Sequence, residues 1–175
     1  MNETLKVLEN RRSCRKFKND MITKEELESI LRAGTFAPSG HNSQASIIIA
    51  ITNKDIIGKL ARENSKIAGW QEDFNPFYGA PVVVAVLADK KIPTYLYDGS
   101  LVMGNMLNAA ESLGVASIWI HRAKEVFEGP VGKEILSNLG IRGDYEGIGF
   151  CALGYQEGEK LTAKPRKENY IYYVK

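Results

Sequence analysis

Five cations stand within eight positions near the start of the chain: Arg11, Arg12, Arg15, Lys16 and Lys18, with Ser13 among them. Such a run forms a solvated face, contacts nucleic acid, or builds an anion site. The anion reading follows from chemistry, because each guanidinium is a planar fork of donors suited to phosphate oxygens. A second cationic set, Lys164, Arg166 and Lys167, lies at the far end of the chain. Two such sets can converge on one phosphate. From these residues alone the three readings stay open.

A polar stretch, Ala37-Pro38-Ser39-Gly40-His41-Asn42-Ser43-Gln44, is the second candidate. Its composition suits a turn, and also a loop that presents backbone groups and short side chains to a ligand. His41 and His121 are the two histidines, with no Cys, Asp or Glu at ligand spacing, so no metal site is expected. No G-x-S-x-G elbow supports a serine hydrolase. Gly147-Ile148-Gly149-Phe150-Cys151-Ala152 fits the dinucleotide pattern G-x-G-x-x-A. That pattern needs a following helix and a later acidic residue, whereas here the chain turns through Gly154 and Gly158. A tightly packed strand is the better reading.

The elements that must position these residues are legible from periodicity. Leu5 and Leu8 suggest a short first helix. Thr23-Lys24-Glu25-Glu26 has the form of a capping box opening a second, with Leu27, Ile30 and Leu31 on one face and a stop near Gly34. Ser46 to Thr52 reads as a buried strand, followed by a helix carrying Ile56, Ile57, Leu60 and Ala61. Pro81 leads into the strand Val82 to Leu87. Asp98 to Leu113 is a long helix so rich in apolar residues that it reads as buried on more than one side. A strand through Val115 to Ile120, a helix near Gly132 to Leu139 and a strand near Gly147 to Leu153 complete one α/β or α+β domain. The tail, Leu161 to Lys175, has no helical period and ends in the β-prone run Tyr170 to Val174.

The 175 residues suit one domain. A hydrophobic share of 44% with 25% charged residues is ordinary globular composition, and a net charge of +2 gives no strong field toward nucleic acid or membrane. Two cysteines in no spaced motif suit a reducing compartment. Met1 to Thr4 shows no signal segment, and no apolar run spans a bilayer. A cytoplasmic protein is expected.

Taken together, these segments resemble the nitroreductase family of flavin mononucleotide (FMN) enzymes. Arg11-Arg12-Ser13-Cys14-Arg15 is similar to the family's R-R-S-x-R element, and Ala37 to Gln44 to its A-P-S-x-x-N-x-Q loop. Leu113-Gly114-Val115-Ala116-Ser117-Ile118-Trp119-Ile120 resembles its L-G-L-G-S-x-W-I strand, and Lys164-Pro165-Arg166 its late K-x-R clamp. Two departures stand out: Ala116 replaces the second glycine, and His121-Arg122 replaces a smaller or acidic pair.

The resemblance implies an α+β fold: a three-layer arrangement of sheet flanked by helices, in an intertwined homodimer. The chain would be a single domain over 1–175, with 161–175 crossing to the partner subunit. It implies FMN as bound cofactor, NADH or NADPH as hydride donor, and a small acceptor such as a nitroaromatic or quinone, reduced by a ping-pong mechanism. Arg11, Lys164 and Arg166 would hold the phosphate, Arg12 and Ser13 the ribityl region, and Arg15 the pyrimidine edge. Pro38, Ser39, Gly40 and Asn42 would reach the cofactor of the other subunit. Ile120, His121 and Arg122 would border the ring, with Asn64 a candidate mid-chain contact. No side chain is needed as a catalytic acid or nucleophile, since the flavin carries the chemistry. The alternatives are reductive dehalogenation or flavin fragmentation on the same scaffold, and a non-enzymatic FMN-binding or RNA-contacting protein.

Overall fold

The computed structural model describes residues 1–71 and 73–175. In chain order the elements are α1 (Glu3–Asn10), α2 (Lys24–Thr35), a 3-10 turn (Gly40–Asn42), β1 (Ser46–Ile51), α3 (Lys54–Ala68), β2 (Val82–Asp89), α4 (Tyr95–Ser112), β3 (Ala116–Ile120), α5 (Ala123–Glu128), α6 (Pro130–Asn138) and β4 (Tyr145–Gly154). The four strands form one sheet in the order β1-β2-β4-β3. Every pairing is antiparallel, which places the fold in the α+β class.

The sheet is the middle of three layers. Side chains alternate across a strand, so β2 feeds two cores at once. Val82, Val84, Val86 and Ala88 pack with Ile30 of α2 and with Met103 and Met106 of α4. Val83, Ala85 and Leu87 pack with Leu60 of α3 and with Val126 and Phe127 of α5. This explains why β2 reads as an unbroken apolar run rather than an alternating one. In β4 the register skips between Val86↔Gly149 and Leu87↔Gly147. The extra residue, Ile148, therefore joins the α4 side together with Cys151 and Leu153.

The glycines of β4 are there for close packing, as the sequence suggested. A Cβ on Gly147 would lie 2.3 Å from the Ala123 backbone, and one on Gly149 2.7 Å from the Trp119 indole. No helix follows them, so the dinucleotide pattern has no structural counterpart.

Helix α2 ends at Thr35, near Gly34 as expected, but its cap is Phe36 rather than Gly34. Gly34 is buried in the helix, where a Cβ would meet Met106 Cγ at 2.9 Å and Ile48 Cδ1 at 3.0 Å. Its small size lets α2 approach α4. Helix α4 begins at Tyr95, before Asp98, and within one chain Leu101 and Leu113 remain exposed while Val102, Met103, Met106 and Ala110 are buried. One flank of α4 is thus uncovered in a single chain. The short helix α5 was not expected at all; six residues are too few to show a period. Among the described residues no helix is long and apolar enough to cross a membrane.

Candidate functional site

The basic segment is laid along the sheet as an extended strip. Ser13 bridges Ser117 of β3, and the Cys14 N–H donates to the Ser117 carbonyl at 3.0 Å. Phe17 bridges Gln156, Lys18 N–H donates to the Tyr155 carbonyl at 2.8 Å, and Glu157 N–H donates to the Lys16 carbonyl at 2.9 Å. The strip is therefore fixed between the start of β3 and the exit of β4. That exit is the root of the tail, so the two cationic sets start from neighbouring strands.

Burial at this strip is incomplete in its polar accounting. Arg12 Nη1 donates to the carbonyls of Glu9 and Arg11 at 2.7 and 2.6 Å. Arg11 Nη1, Arg12 Nε and Ser117 Oγ are buried with no hydrogen-bond partner among the described residues. Unpaired buried donors are costly, about 1–3 kcal/mol each and more when charged. Such a set is what an anion would satisfy. A cleft of about 330 Å³ opens along the strip, lined by Ser13, Arg15, Lys16, Gly158 and Leu161 among others.

Both thiols near this strip are kept protonated. Cys14 donates from Sγ to the Lys16 carbonyl at 3.1 Å, and burial pushes its pKa up. Burial drives the Cys151 thiol up to about 12, against an opposing pull from the Arg11 charge. Neither is a nucleophile at neutral pH.

The polar loop is held by an acid that sequence reasoning had assigned only to a helix. Asp98, 4% exposed, accepts from the Gly40 N–H at 3.0 Å, from Ser43 Oγ at 3.3 Å and from Thr94 Oγ1 at 2.8 Å. A side chain at Gly40 would collide with Thr94 Oγ1 at 2.4 Å. His41, Asn42 and Gln44 all take positive φ, at 52°, 53° and 48°. Three non-glycine residues in the left-handed region make a strained loop that its surroundings must hold. Pro38 and Ser39 line a cleft of about 290 Å³ with Asp98 and Val102.

The third piece is the end of β3. Ile120 is buried in the α3-side core, so only its backbone faces outward. The buried Asn64 on α3 donates from Nδ2 to the His121 carbonyl at 2.8 Å, while its Oδ1 has no described partner. Its direct role within the chain is to position His121. Arg122 follows with φ 73°, capping α5, and its guanidinium lies 4.7 Å above the Trp70 ring. His121 and Arg122 line a cleft of about 250 Å³ with Trp119, Lys124 and Glu146. The buried Glu146 accepts from Lys124 Nζ at 2.7 Å, and this bond holds the lysine pKa above its ordinary value.

One chain does not gather all the expected residues. Arg11 to Arg15, Pro38 to Asn42, and Ile120 to Arg122 occupy three separate regions, and Ser13, Pro38 and His121 line different clefts. Lys164 and Arg166 stand on an exposed tail without secondary structure, where Arg166 Nη2 donates to the Lys164 carbonyl at 2.7 Å. Asp98 and Asn64 act through hydrogen bonds to residues 58 and 57 positions away, which no local pattern encodes.

Residues 8–155 match the Nitroreductase family. A nitroreductase with bound FMN from Bacteroides fragilis superposes over 100% of both chains with a TM-score of 0.91 at 29% identity. One from Desulfitobacterium hafniense, also with bound FMN, covers 100% of both chains at 0.87 and 32% identity. An FMN reductase [NAD(P)H] of Bacillus subtilis is 26% identical over 67% of this chain and 53% of that protein.

Proposed function

The chain belongs to the nitroreductase family, and from that premise we propose that it is an NAD(P)H-dependent oxidoreductase that holds FMN in a homodimer. The observation that carries the reading is the unpaired buried donors Arg11 Nη1 and Arg12 Nε, on the strip whose motif resembles the family's phosphate and ribityl contacts, with Ser117 Oγ on the strand beside it. The donor chemistry fits a phosphate ester. FMN, when bound, supplies the ring that takes and gives the hydride.

The protein's part is to hold, orient and exclude. Arg11, Lys164 and Arg166 bind the phosphate, and Arg12 and Ser13 the ribityl chain. Arg15 places a fixed positive charge at the pyrimidine edge, where negative charge develops. Ile120, His121 and Arg122 border the ring, kept in place by Asn64. Pro38, Ser39, Gly40 and Asn42 approach from the other subunit, which accounts for their separation from Arg11 within one chain.

Support for two chains comes from surface that a single chain leaves open. Tyr170, Ile171, Tyr172, Tyr173 and Val174 are all exposed, as are Leu96, Tyr97 and Leu101 along α4. A β-prone apolar tail of this kind is normally paired or covered. In this reading 1–175 is a single domain whose tail, 161–175, crosses to the partner, and the protein works in the cytoplasm. Donor and acceptor use the site in turn. With a quinone the balance is NAD(P)H + H⁺ + quinone → NAD(P)⁺ + quinol.

The test is direct. Purified protein is yellow, heating releases FMN and not FAD, and NADH or NADPH is consumed when a quinone is added. A colourless protein that also fails to take up added FMN overturns the reading.

A further inference from the structure

Arg122 is placed with more care than a surface arginine needs. Its backbone sits in the left-handed region at φ 73°, uncommon for a residue with a side chain. The residue before it is fixed by Asn64 through the 2.8 Å bond to the His121 carbonyl. Its guanidinium carbon lies 4.7 Å from the centre of the Trp70 ring, and Trp70 stands edge-on to Phe74 with ring centroids 4.9 Å apart. Among the described residues it makes no ion pair and no hydrogen bond. The neighbouring Lys124, in contrast, is tied to Glu146 at 2.7 Å and Glu128 at 3.7 Å.

A guanidinium has five N–H donors, and a cation–π contact leaves most of them available to an anion. Arg122 also lines a cleft together with Trp119 and His121. The carboxylates that line this cleft are Glu125 and Glu146, and Lys124 already engages Glu146. A planar fork held over an aromatic ring, with no acid paired to it among the described residues, is suited to bidentate recognition of a carboxylate.

We propose that Arg122, carried on Trp70, recognises a carboxylate on the electron acceptor, so that the chain prefers planar aromatic acceptors bearing that group over neutral ones. This rests on the reading that the end of β3 borders the reactive ring. The carboxylate pairs with the guanidinium while the reducible group of the same ring reaches the site. For a nitro group the first step balances as ArNO₂ + NAD(P)H + H⁺ → ArNO + NAD(P)⁺ + H₂O.

The experiment compares para-nitrobenzoate with para-nitrobenzamide, its neutral analogue, on FMN-loaded protein at neutral pH. Wild type favours the carboxylate in kcat/KM by about tenfold, the order expected for one charge-assisted pair. Arg122→Gln brings the ratio to about one, and Arg122→Lys restores part of it. A wild-type ratio near one, or an unchanged ratio in the glutamine variant, overturns the proposal. A raised KM for the nicotinamide donor with the acceptor ratio intact also overturns it, because the guanidinium then serves the donor. Should the glutamine variant fail to fold, Trp70→Leu removes the platform and lowers the ratio by the same logic. If wild type reduces neither compound, the quinone assay decides the oxidoreductase reading, and calorimetry with benzoate and benzamide decides the recognition separately. Benzoate binding no tighter than benzamide overturns it.

Discussion

Asp98 Oδ1 accepts the backbone N–H of Gly40 at 3.0 Å across 58 positions of sequence. The bond ties the first turn of α4 to the strained polar loop, so a helix facing the sheet sets the shape of a segment proposed to serve the other subunit. Asp98→Ala leaves the Gly40, Ser43 and Thr94 donors without their acceptor and should destabilise the protein by about 1–3 kcal/mol. Amide exchange at Gly40 should quicken beyond what that loss of global stability explains. Exchange that tracks global stability alone would show that the loop holds itself.

The cationic tail offers a sharper comparison. Arg166 and Lys167 are adjacent and both exposed, but Lys167 stands over the Tyr170 ring at 5.2 Å. Only Arg166 lies in the K-x-R pattern. Arg166→Ala should weaken FMN binding by on the order of tenfold to a hundredfold, and Lys167→Ala by much less. Equal dissociation constants, measured by flavin fluorescence, would contradict the assignment.

Part of the stability at neutral pH should depend on the Tyr155 phenol and be lost in acid. Tyr155 donates to Glu26 Oε2 at 2.7 Å, the oxygen that also accepts the Thr23 N–H at 2.8 Å. The Tyr155 hydrogen bond, then the Thr23 N–H, holds the Glu26 pKa below the ordinary carboxylate range. A lowered carboxyl contributes stability that is present above its unfolded pKa and lost as pH falls through its folded one. Solvent screening keeps the amount on the order of 1 kcal/mol or less. The difference in urea midpoint between wild type and Tyr155→Phe should therefore be present at neutral pH and shrink in acid. A difference that grows in acid would reverse the sign.

Removing Tyr170 to Lys175 tests the tail separately from the cofactor contacts, since Lys164 and Arg166 stay in place. The shortened chain should move toward monomer or aggregate in light scattering and lose FMN on gel filtration. A shortened chain that remains dimeric with full flavin occupancy refutes the exchanged tail.

What could be read from the sequence was what local chemistry encodes. The box around Thr23 is such a case: Glu26 N–H donates to Thr23 Oγ1 at 3.2 Å and Thr23 N–H to Glu26 Oε2 at 2.8 Å. The buried strand Val82 to Leu87 was legible because a sheet packed on both faces needs apolar residues at every position. The role of Gly34 was not legible because a glycine near a helix end has two causes, a left-handed stop or a close approach, and its contacts with Met106 and Ile48 decide between them. Asp98 and Asn64 were opaque as positioning groups for a different reason. Their partners are backbone groups of distant residues, and backbone groups carry no sequence signature. The expected site itself was read as motifs in order along the chain, while its assembly, in the proposed dimer, depends on where the second chain places the polar loop.

The two cysteines amount to a pair of built-in clocks. Cys151 lies in β4 between both cores, and Cys14 in the strip bonded to the edge of β3. An alkylating reagent can reach Cys151 only when the sheet comes apart, but can reach Cys14 whenever the strip lifts away. Their separate labelling rates would time global unfolding and local release in one sample. The strip carries Arg11, so the faster clock would also time how often the proposed phosphate seat opens.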